Sequence, residues 1–261
     1  MPWERDFSKW IVFEDAAADD TLSIQQQIDD GAKRGVTTLC FKPGEKKYLI
    51  SAPIRLHGSI RRIVGMESLV DVRDPNGIFK DGTTAVFTFD GMTSKSVVIE
   101  RFFSLGGWDG PQTSAMFGNK DGIAVVLSSV CLQGAVKSVT GKGEWFLEDV
   151  SPGRNGTLRI GKGETVWARQ YNPESSKTDM IEVDSGTLWM LGFKTEGRAT
   201  HLIAKNGASV EILGGVSYQS WGNQEVDPPM FRISDSKVSI ALNIWSTQCP
   251  SSTIVEETSK V

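Results

Sequence analysis

The residues that decide the fold are two near-copies of one phrase, each followed by a short apolar strand: GKGEWFLEDV at 141–150 and GKGETVWAR at 161–169. Two further strand-like runs follow, TLWMLG at 187–192 and SVEILG at 209–214. Corresponding residues follow one another at steps of 20, 22 and 22 residues: Phe146, Val166, Leu188 and Val210. A fixed period of this length, with one strand per period and turn residues between strands, is typical of a stacked solenoid. Each repeat can bury its apolar face only against its neighbours, so the pattern predicts a stack.

Strand-like runs recur on both sides of this stretch, with about two strands per turn of about 21 residues. The prediction is an all-β, right-handed, single-stranded parallel β-helix of about nine or ten coils, forming a rod about 45 Å long. Ahead of the coils, Asp19-Asp20-Thr21 precedes an apolar pattern that ends near Gly31, which indicates a short α-helix capping the first coil. We expect one β-helix domain over 1–261, with the lead-in and cap helix at 1–35, the coils at 36–246 and a C-terminal tail at 247–261.

Composition excludes several classes of function. The net charge of −4, without a clustered basic face, predicts no nucleic-acid partner. No apolar run approaches the roughly 18 residues of a membrane span, which predicts no membrane partner. The three cysteines (Cys40, Cys131 and Cys249) are far apart and lack metal-ligand spacing, so we expect buried free thiols. The sequence predicts neither a metal site nor a cofactor.

The first coils carry phrases that resemble a known family: TLCFKPG at 38–44, YLI at 48–50, IRL at 54–56 and IVG at 63–65. With the capped helix before them, they look like the first coils of right-handed parallel β-helices of the pectate-lyase superfamily. Later phrases at 97–102, 146–150, 186–189 and 211–215 are similar to uncharacterised bacterial members of that group. The resemblance covers roughly residues 14–246 and is specific for fold, but weak for activity.

In such proteins this module often follows a first β-helix, and the tandem β-1,3-glucanases are built in that way. The resemblance therefore implies a polysaccharide as partner and a preceding β-helix domain. It also implies an extracellular or periplasmic location, although the first residues show no signal peptide.

Two glutamates are the candidate catalytic pair of a glycoside hydrolase. Aligning the coils gives a column of Glu100, Ser128, Glu148 and Ala168, beside a second column of Arg101, Ser129, Asp149 and Arg169. Alternation sends Glu100 and Glu148 outward, two coils and about 9.6 Å apart. This is at the upper edge of the ~6.5–9.5 Å that an inverting glycosidase needs. The alternative is that these are ordinary outer-face glutamates, with Asp149 and Arg169 forming a cross-strand ion pair.

The tryptophans give two conflicting registers. Trp145, Trp167 and Trp189 lie 22 and 22 residues apart, which would stack them as a ladder for sugar rings. The repeated phrase instead pairs Trp167 with Leu147 and places Trp167 and Trp189 in the core, and this register is favoured. The substrate-binding candidates are therefore the loop residues Trp108, Asp109 and Trp221, together with Trp145 and Arg101.

The sequence lacks the motifs of several known classes of polysaccharide-degrading enzyme. The successive motifs of a polygalacturonase are missing, and no strand carries the acidic cluster of a calcium-dependent pectate lyase. With His57 and His201 as the only histidines, a histidine triad or a zinc site is not expected, and structural roles are predicted for both. Two functions stay open on nearly equal terms: a β-glucanase-like glycoside hydrolase, and a non-catalytic carbohydrate-binding or structural module of a larger protein. A polysaccharide lyase is a weaker third alternative.

Overall fold

The computed structural model describes residues 2–14, 18–43, 47–79, 83–106, 115–132, 142–153, 156–175, 177, 179–219, 227–245 and 251–259. Over these residues the chain winds as a parallel β-solenoid of about nine turns. Every strand pairing found among them is parallel. The predicted parallel β-helix with one short cap helix is confirmed.

The described residues hold a 3-10 turn at Phe7–Lys9, the helix α1 (Thr21–Lys33) and a series of strands. The strands are β1 (Trp10–Phe13), β2 (Thr38–Phe41), β3 (Tyr48–Ile50), β4 (Ile54–Gly58), β5 (Arg62–Val72), β6 (Phe87–Met92), β7 (Ser96–Gly106), β8 (Phe117–Asn119), β9 (Ala124–Leu132), β10 (Gly143–Ser151), β11 (Leu158–Ile160), β12 (Glu164–Tyr171), β13 (Ile181–Asp184), β14 (Thr187–Glu196), β15 (Leu202–Lys205), β16 (Ser209–Tyr218), β17 (Phe231–Ser234), β18 (Lys237–Trp245) and β19 (Val255–Thr258).

One large sheet runs the length of the solenoid in the order β1-β2-β5-β7-β9-β10-β12-β14-β16-β18, with β3 pairing to β5. Two smaller sheets, β4-β6-β8 and β11-β13-β15-β17-β19, complete the coils. The last of these corrects a predicted boundary. The predicted tail at 247–261 contains β19, which pairs in register with β17, so the coils extend to Thr258.

The core is built from inward columns in which one residue per coil stacks on the next. Leu127, Leu147, Ala168, Met190 and Ile212 form one such column, and all five are buried. No coil could exclude water from these side chains alone, so the stack is stabilised by contacts between neighbouring coils.

The helix α1 closes the first coil. Its residues Ile24 and Ile28 are buried in the same core as Ile11 and Phe13 of β1. They lie four positions apart and therefore on one face of the helix. The cap thus supplies the apolar contacts that a preceding coil would otherwise provide.

A left-handed residue lies at the same corner of the large sheet in six consecutive strands, from β7 to β16. Residues with positive φ recur directly after the outward residues Glu100, Ser128, Glu148, Arg169, Leu191 and Leu213; they are Arg101, Ser129, Asp149, Gln170, Gly192 and Gly214. A left-handed residue costs roughly 1–2 kcal/mol unless it is glycine. Gly192, with φ of 81°, is the residue type that this corner favours.

The observed register corrects the prediction for the repeated phrase. The two phrases pair one residue away from their sequence alignment, so Phe146 lies opposite Trp167, and Leu147 opposite Ala168. A slip of one residue moves every side chain of a strand to the other face. Trp167 is therefore an outward residue, 40% exposed, and not the core residue that we predicted. Trp189 pairs with Trp167 and lies on the same outer face.

Candidate ligand-binding face

One outward column can be followed along the whole large sheet, and we call it the outer column. Its members, in order of the coils, are Trp10, Thr38, Arg62, Val98, Val126, Phe146, Trp167, Trp189, Glu211 and Ser239. Coil length varies along it, since 36 residues separate Arg62 from Val98 and 20 separate Val126 from Phe146. The column stays continuous because the extra residues lie between strands.

The C-terminal part of the outer column borders an open groove of about 410 Å³. We call it the tryptophan groove and define it by Trp167, Trp189, Glu211 and Lys237. The two indole rings belong to adjacent coils, with centroids 6.0 Å apart and planes inclined by 49°. Exposed indoles offer a flat apolar face and an N–H donor together, which is the combination that packs against sugar rings.

The polar lining of the groove is balanced in charge. Glu211 supplies one carboxylate and Lys237 one ammonium group, and hydroxyl groups come from Thr187, Ser209 and Ser239. Within the part of the chain that the structure describes, neither Glu211 nor Lys237 takes part in an ion pair. Both groups can therefore hydrogen-bond to a ligand, and together they suit an uncharged polar one.

The predicted catalytic residues Glu100 and Glu148 have the predicted spacing, but each carboxylate forms an ion pair with an arginine. Glu100 pairs in register with Ser128, and Ser128 with Glu148, so the two carboxylates stand two coils apart. Glu100 accepts a hydrogen bond from the buried guanidinium of Arg62. Glu148 accepts one from Arg169, and Asp149 lies at the left-handed corner beside it. The predicted pairing of Asp149 with Arg169 is thus replaced by that of Glu148 with Arg169.

These ion pairs bear on catalysis. Each carboxylate already has an arginine partner, which a substrate would have to displace in order to reach it. The ring of Trp3 also covers Arg62, with the guanidinium carbon 4.3 Å from the ring centroid. Glu100 is only 14% exposed beneath this cover. The geometry therefore offers Glu100 little access to a substrate.

The other predicted site residues do not gather around one place. Trp145 is 2% exposed because it pairs in register with the core residues Val125 and Val166, so the prediction that it contacts substrate is wrong. Arg101 is exposed at the left-handed corner of β7, next to Glu100. Trp108, Asp109 and Trp221 lie outside the described residues.

The tryptophan groove is the part that sequence reasoning missed. Its signal was present, since Trp167 and Trp189 lie 22 residues apart, as two residues in consecutive coils should. The near-identical phrases at 141–144 and 161–164 concealed it, because their alignment is one residue away from the true register. The ladder hypothesis was wrong only in its first member, because Trp145 pairs with Val166 and not with Trp167.

Both histidines have structural partners. His201 is fully buried between the rings of Phe193 and Phe231, at centroid distances of 6.1 and 5.8 Å. Its Nε2 lies 2.7 Å from Ser217 Oγ. Burial lowers the pKa of His201 to about 4, so its imidazole is neutral near pH 7. His57 contacts Asp29 at 2.8 Å, and this hydrogen bond lowers the pKa of Asp29.

The thiols are less buried than predicted. Cys40 and Cys131 are free and half-buried, and burial raises the pKa of both thiols, while Cys249 lies outside the described residues. Neither thiol therefore resembles an activated nucleophile, which needs a lowered pKa.

Two searches within the described ranges gave negative results. No three or more His, Cys, Asp or Glu side chains there lie close enough together to hold a metal ion. No helix there is long and apolar enough to cross a membrane. Comparisons of this chain with protein-family models, curated proteins and solved structures found no match.

Proposed function

We propose that this chain is a non-catalytic carbohydrate-binding module that holds an uncharged glycan in the tryptophan groove. The observation that carries the proposal is the outward placement of two indoles, the exposed Trp167 and the half-buried Trp189, on consecutive coils of one sheet. Coils repeat every ~4.8 Å, so a glycan chain lying along the solenoid axis would meet an aromatic or polar side chain at each coil. Glu211 and Lys237 would then hydrogen-bond to its hydroxyl groups.

The glycoside hydrolase built on Glu100 and Glu148 is the competing proposal. Its support is their separation by two coils, which matches the spacing of an inverting pair. It is weakened because both carboxylates are bound to arginines and neither lines the tryptophan groove. We also propose that the chain is a member of the pectate-lyase superfamily. The support is the parallel β-solenoid architecture and the sequence motifs of the first coils, at 38–44, 48–50, 54–56 and 63–65.

A binding screen with matched variants tests the proposal. The purified chain is presented to immobilised neutral, acidic and amino-sugar polysaccharides, and binding to any retained glycan is then quantified by calorimetry. We expect binding to a neutral glycan that falls at least tenfold in Trp167→Ala and Trp189→Ala. The control Phe7→Ala removes an exposed aromatic ring far from the groove, and its binding should match the wild type.

Reducing-end release measured on the same glycans separates the two proposals. Binding without release supports the module, whereas release that Glu148→Gln abolishes supports the hydrolase. Retention of acidic glycans alone, or binding unchanged in both tryptophan variants, would overturn the assignment of the groove.

A further inference from the structure

The last coil leaves an apolar row exposed at the C-terminal end of the solenoid. Strand β18 pairs with β16 along one edge, and its other edge has no strand partner among the described residues. Val238, Ile240 and Leu242 pack against the core but are only partly buried. Ile244 pairs in register with the buried Ser217, so it continues this inward row, and it is 37% exposed.

The residue order of β18 is self-complementary about Ala241. If two copies of the strand lie antiparallel with Ala241 at the centre, Val238 faces the partner's Ile244. Ile240 then faces the partner's Leu242, so the inward row is apolar at every pair. On the outer side Ser239 faces the partner's Asn243. A two-fold interface requires this property, because each contact must be made twice.

We propose that two copies of this chain associate tail to tail by antiparallel pairing of their β18 strands. An exposed, apolar edge strand is a template for pairing with another chain. At the opposite end of the solenoid α1 already covers the core, so the same contact cannot repeat there. The assembly therefore closes as a dimer and does not grow into a filament.

A cation–π contact at each end of the paired strands favours a second copy of this chain as the occupant. In the register centred on Ala241, Lys237 faces the partner's Trp245. Trp245 is 56% exposed and packs against Tyr218, with centroids 5.3 Å apart. An ammonium group over an exposed indole is attracted to the face of the ring, and the dimer would contain this contact twice.

The smaller sheet limits the strength of the dimer. In β19, Glu257 pairs in register with Ile233 and so puts an exposed carboxylate into an inward column. An inward charge on an edge strand disfavours edge-to-edge pairing. Pairing is therefore confined to β18, and the cost of bringing this charge to the interface limits the strength of the dimer.

Sedimentation equilibrium of the whole chain tests the interface. We expect a mass that rises with concentration toward twice the 28.5 kDa of one chain. Ile244→Lys should weaken the dimer at least tenfold, whereas its neighbour Asn243→Lys, on the outer face, should not. Glu257→Gln should tighten it, and circular dichroism confirms that each variant is folded.

Cross-linking tests the register. Only a residue on the two-fold axis can form a disulfide with its own copy, and antiparallel partners lie within disulfide reach. Under oxidised glutathione Ala241→Cys should give a covalent dimer, while Lys237→Cys and the wild type should not. A chain that stays monomeric at every concentration, even as Glu257→Gln, overturns the proposal. Equal association of Ile244→Lys and Asn243→Lys, or a dimer in which Ala241→Cys does not cross-link, also overturns it.

Discussion

The two ends of the outer column have the same backbone geometry but opposite relations to solvent. At the N-terminal end, the strap (residues 2–9) crosses the column; Trp3 stacks on Trp10 and covers Arg62. Glu4 fixes the strap by an ion pair with Arg61 at 2.8 Å. At the C-terminal end Trp167 is exposed and, together with the half-buried Trp189, borders the open groove. The comparison shows that the stacked strands alone do not make a binding site. Whether another segment of the chain covers the outer column decides which part of it a ligand can reach.

The largest expected difference concerns the two glutamates. Glu100→Gln removes the carboxylate that pairs with the buried guanidinium of Arg62, so we expect a loss of about 3 kcal/mol in the free energy of unfolding. Glu148→Gln breaks an exposed pair and should cost less than about 1 kcal/mol. Urea denaturation of both variants measures the difference. Equal costs would show that the strap does not isolate Arg62 from water.

Acid should weaken the solenoid through His201. Its folded pKa of about 4 lies below the ordinary 6.5, so the unfolded chain binds a proton that the native chain excludes. The stability contributed by neutral His201 is complete above pH 6.5 and falls as the pH drops from 6.5 to 4, by up to about 3 kcal/mol. Urea midpoints across this range measure the slope.

His201→Gln and His57→Gln form a matched pair for this measurement. The first should reduce the slope between pH 6.5 and 4 whatever its own stability, because no imidazole remains to titrate there. His57 lies in β4 and is partly exposed, so His57→Gln should leave the contribution of His201 intact. A slope that survives His201→Gln unchanged would contradict the assignment.

Removing one indole from each end should change glycan affinity at the C-terminal end only. Trp3→Ala uncovers Arg62 and should cost about 1 kcal/mol of stability, through lost cation–π and stacking contacts, without changing glycan affinity. Trp189→Ala removes a half-buried ring that packs against Trp167, so it should also cost about 1 kcal/mol of stability. Unlike Trp3→Ala, it should weaken a bound glycan about tenfold, which is about 1.4 kcal/mol. Thermal melts and calorimetry on both variants provide the comparison, and an affinity loss in Trp3→Ala would show that the strap belongs to the binding face.

The smallest effects are expected at the left-handed corner. Gly192 has φ of 81° near the groove, and Gly192→Ala should destabilise the chain by about 1 kcal/mol. Arg101 has φ of 59° near the strap, and Arg101→Gly should stabilise it by about 0.5 kcal/mol, net of the entropy that glycine adds to the unfolded chain. Denaturation midpoints measure both, and matching signs would argue against a conformational origin.

The fold was readable from the sequence because a solenoid repeats its signal in every coil. The steps of 22 residues from Val166 to Leu188 and Val210 match the observed pairs. The site was not readable to the same degree, because it depends on a single register. The phrase GKGE occurs at 141 and again at 161, which suggested a coil of 20 residues, but the paired residues are 21 apart. A register error of one residue leaves the prediction of a solenoid intact, but it assigns Trp167 to the core and not to the outer face.

The unequal coil lengths along the outer column have a consequence for how such a protein can diversify. Insertions between strands leave the stacked columns in place, as the 36 residues from Arg62 to Val98 show beside the 20 from Val126 to Phe146. Loops could therefore be grafted or exchanged at one coil without retuning the others. In contrast, one residue inserted into or deleted from a strand moves the side chains that follow it to the opposite face of the sheet.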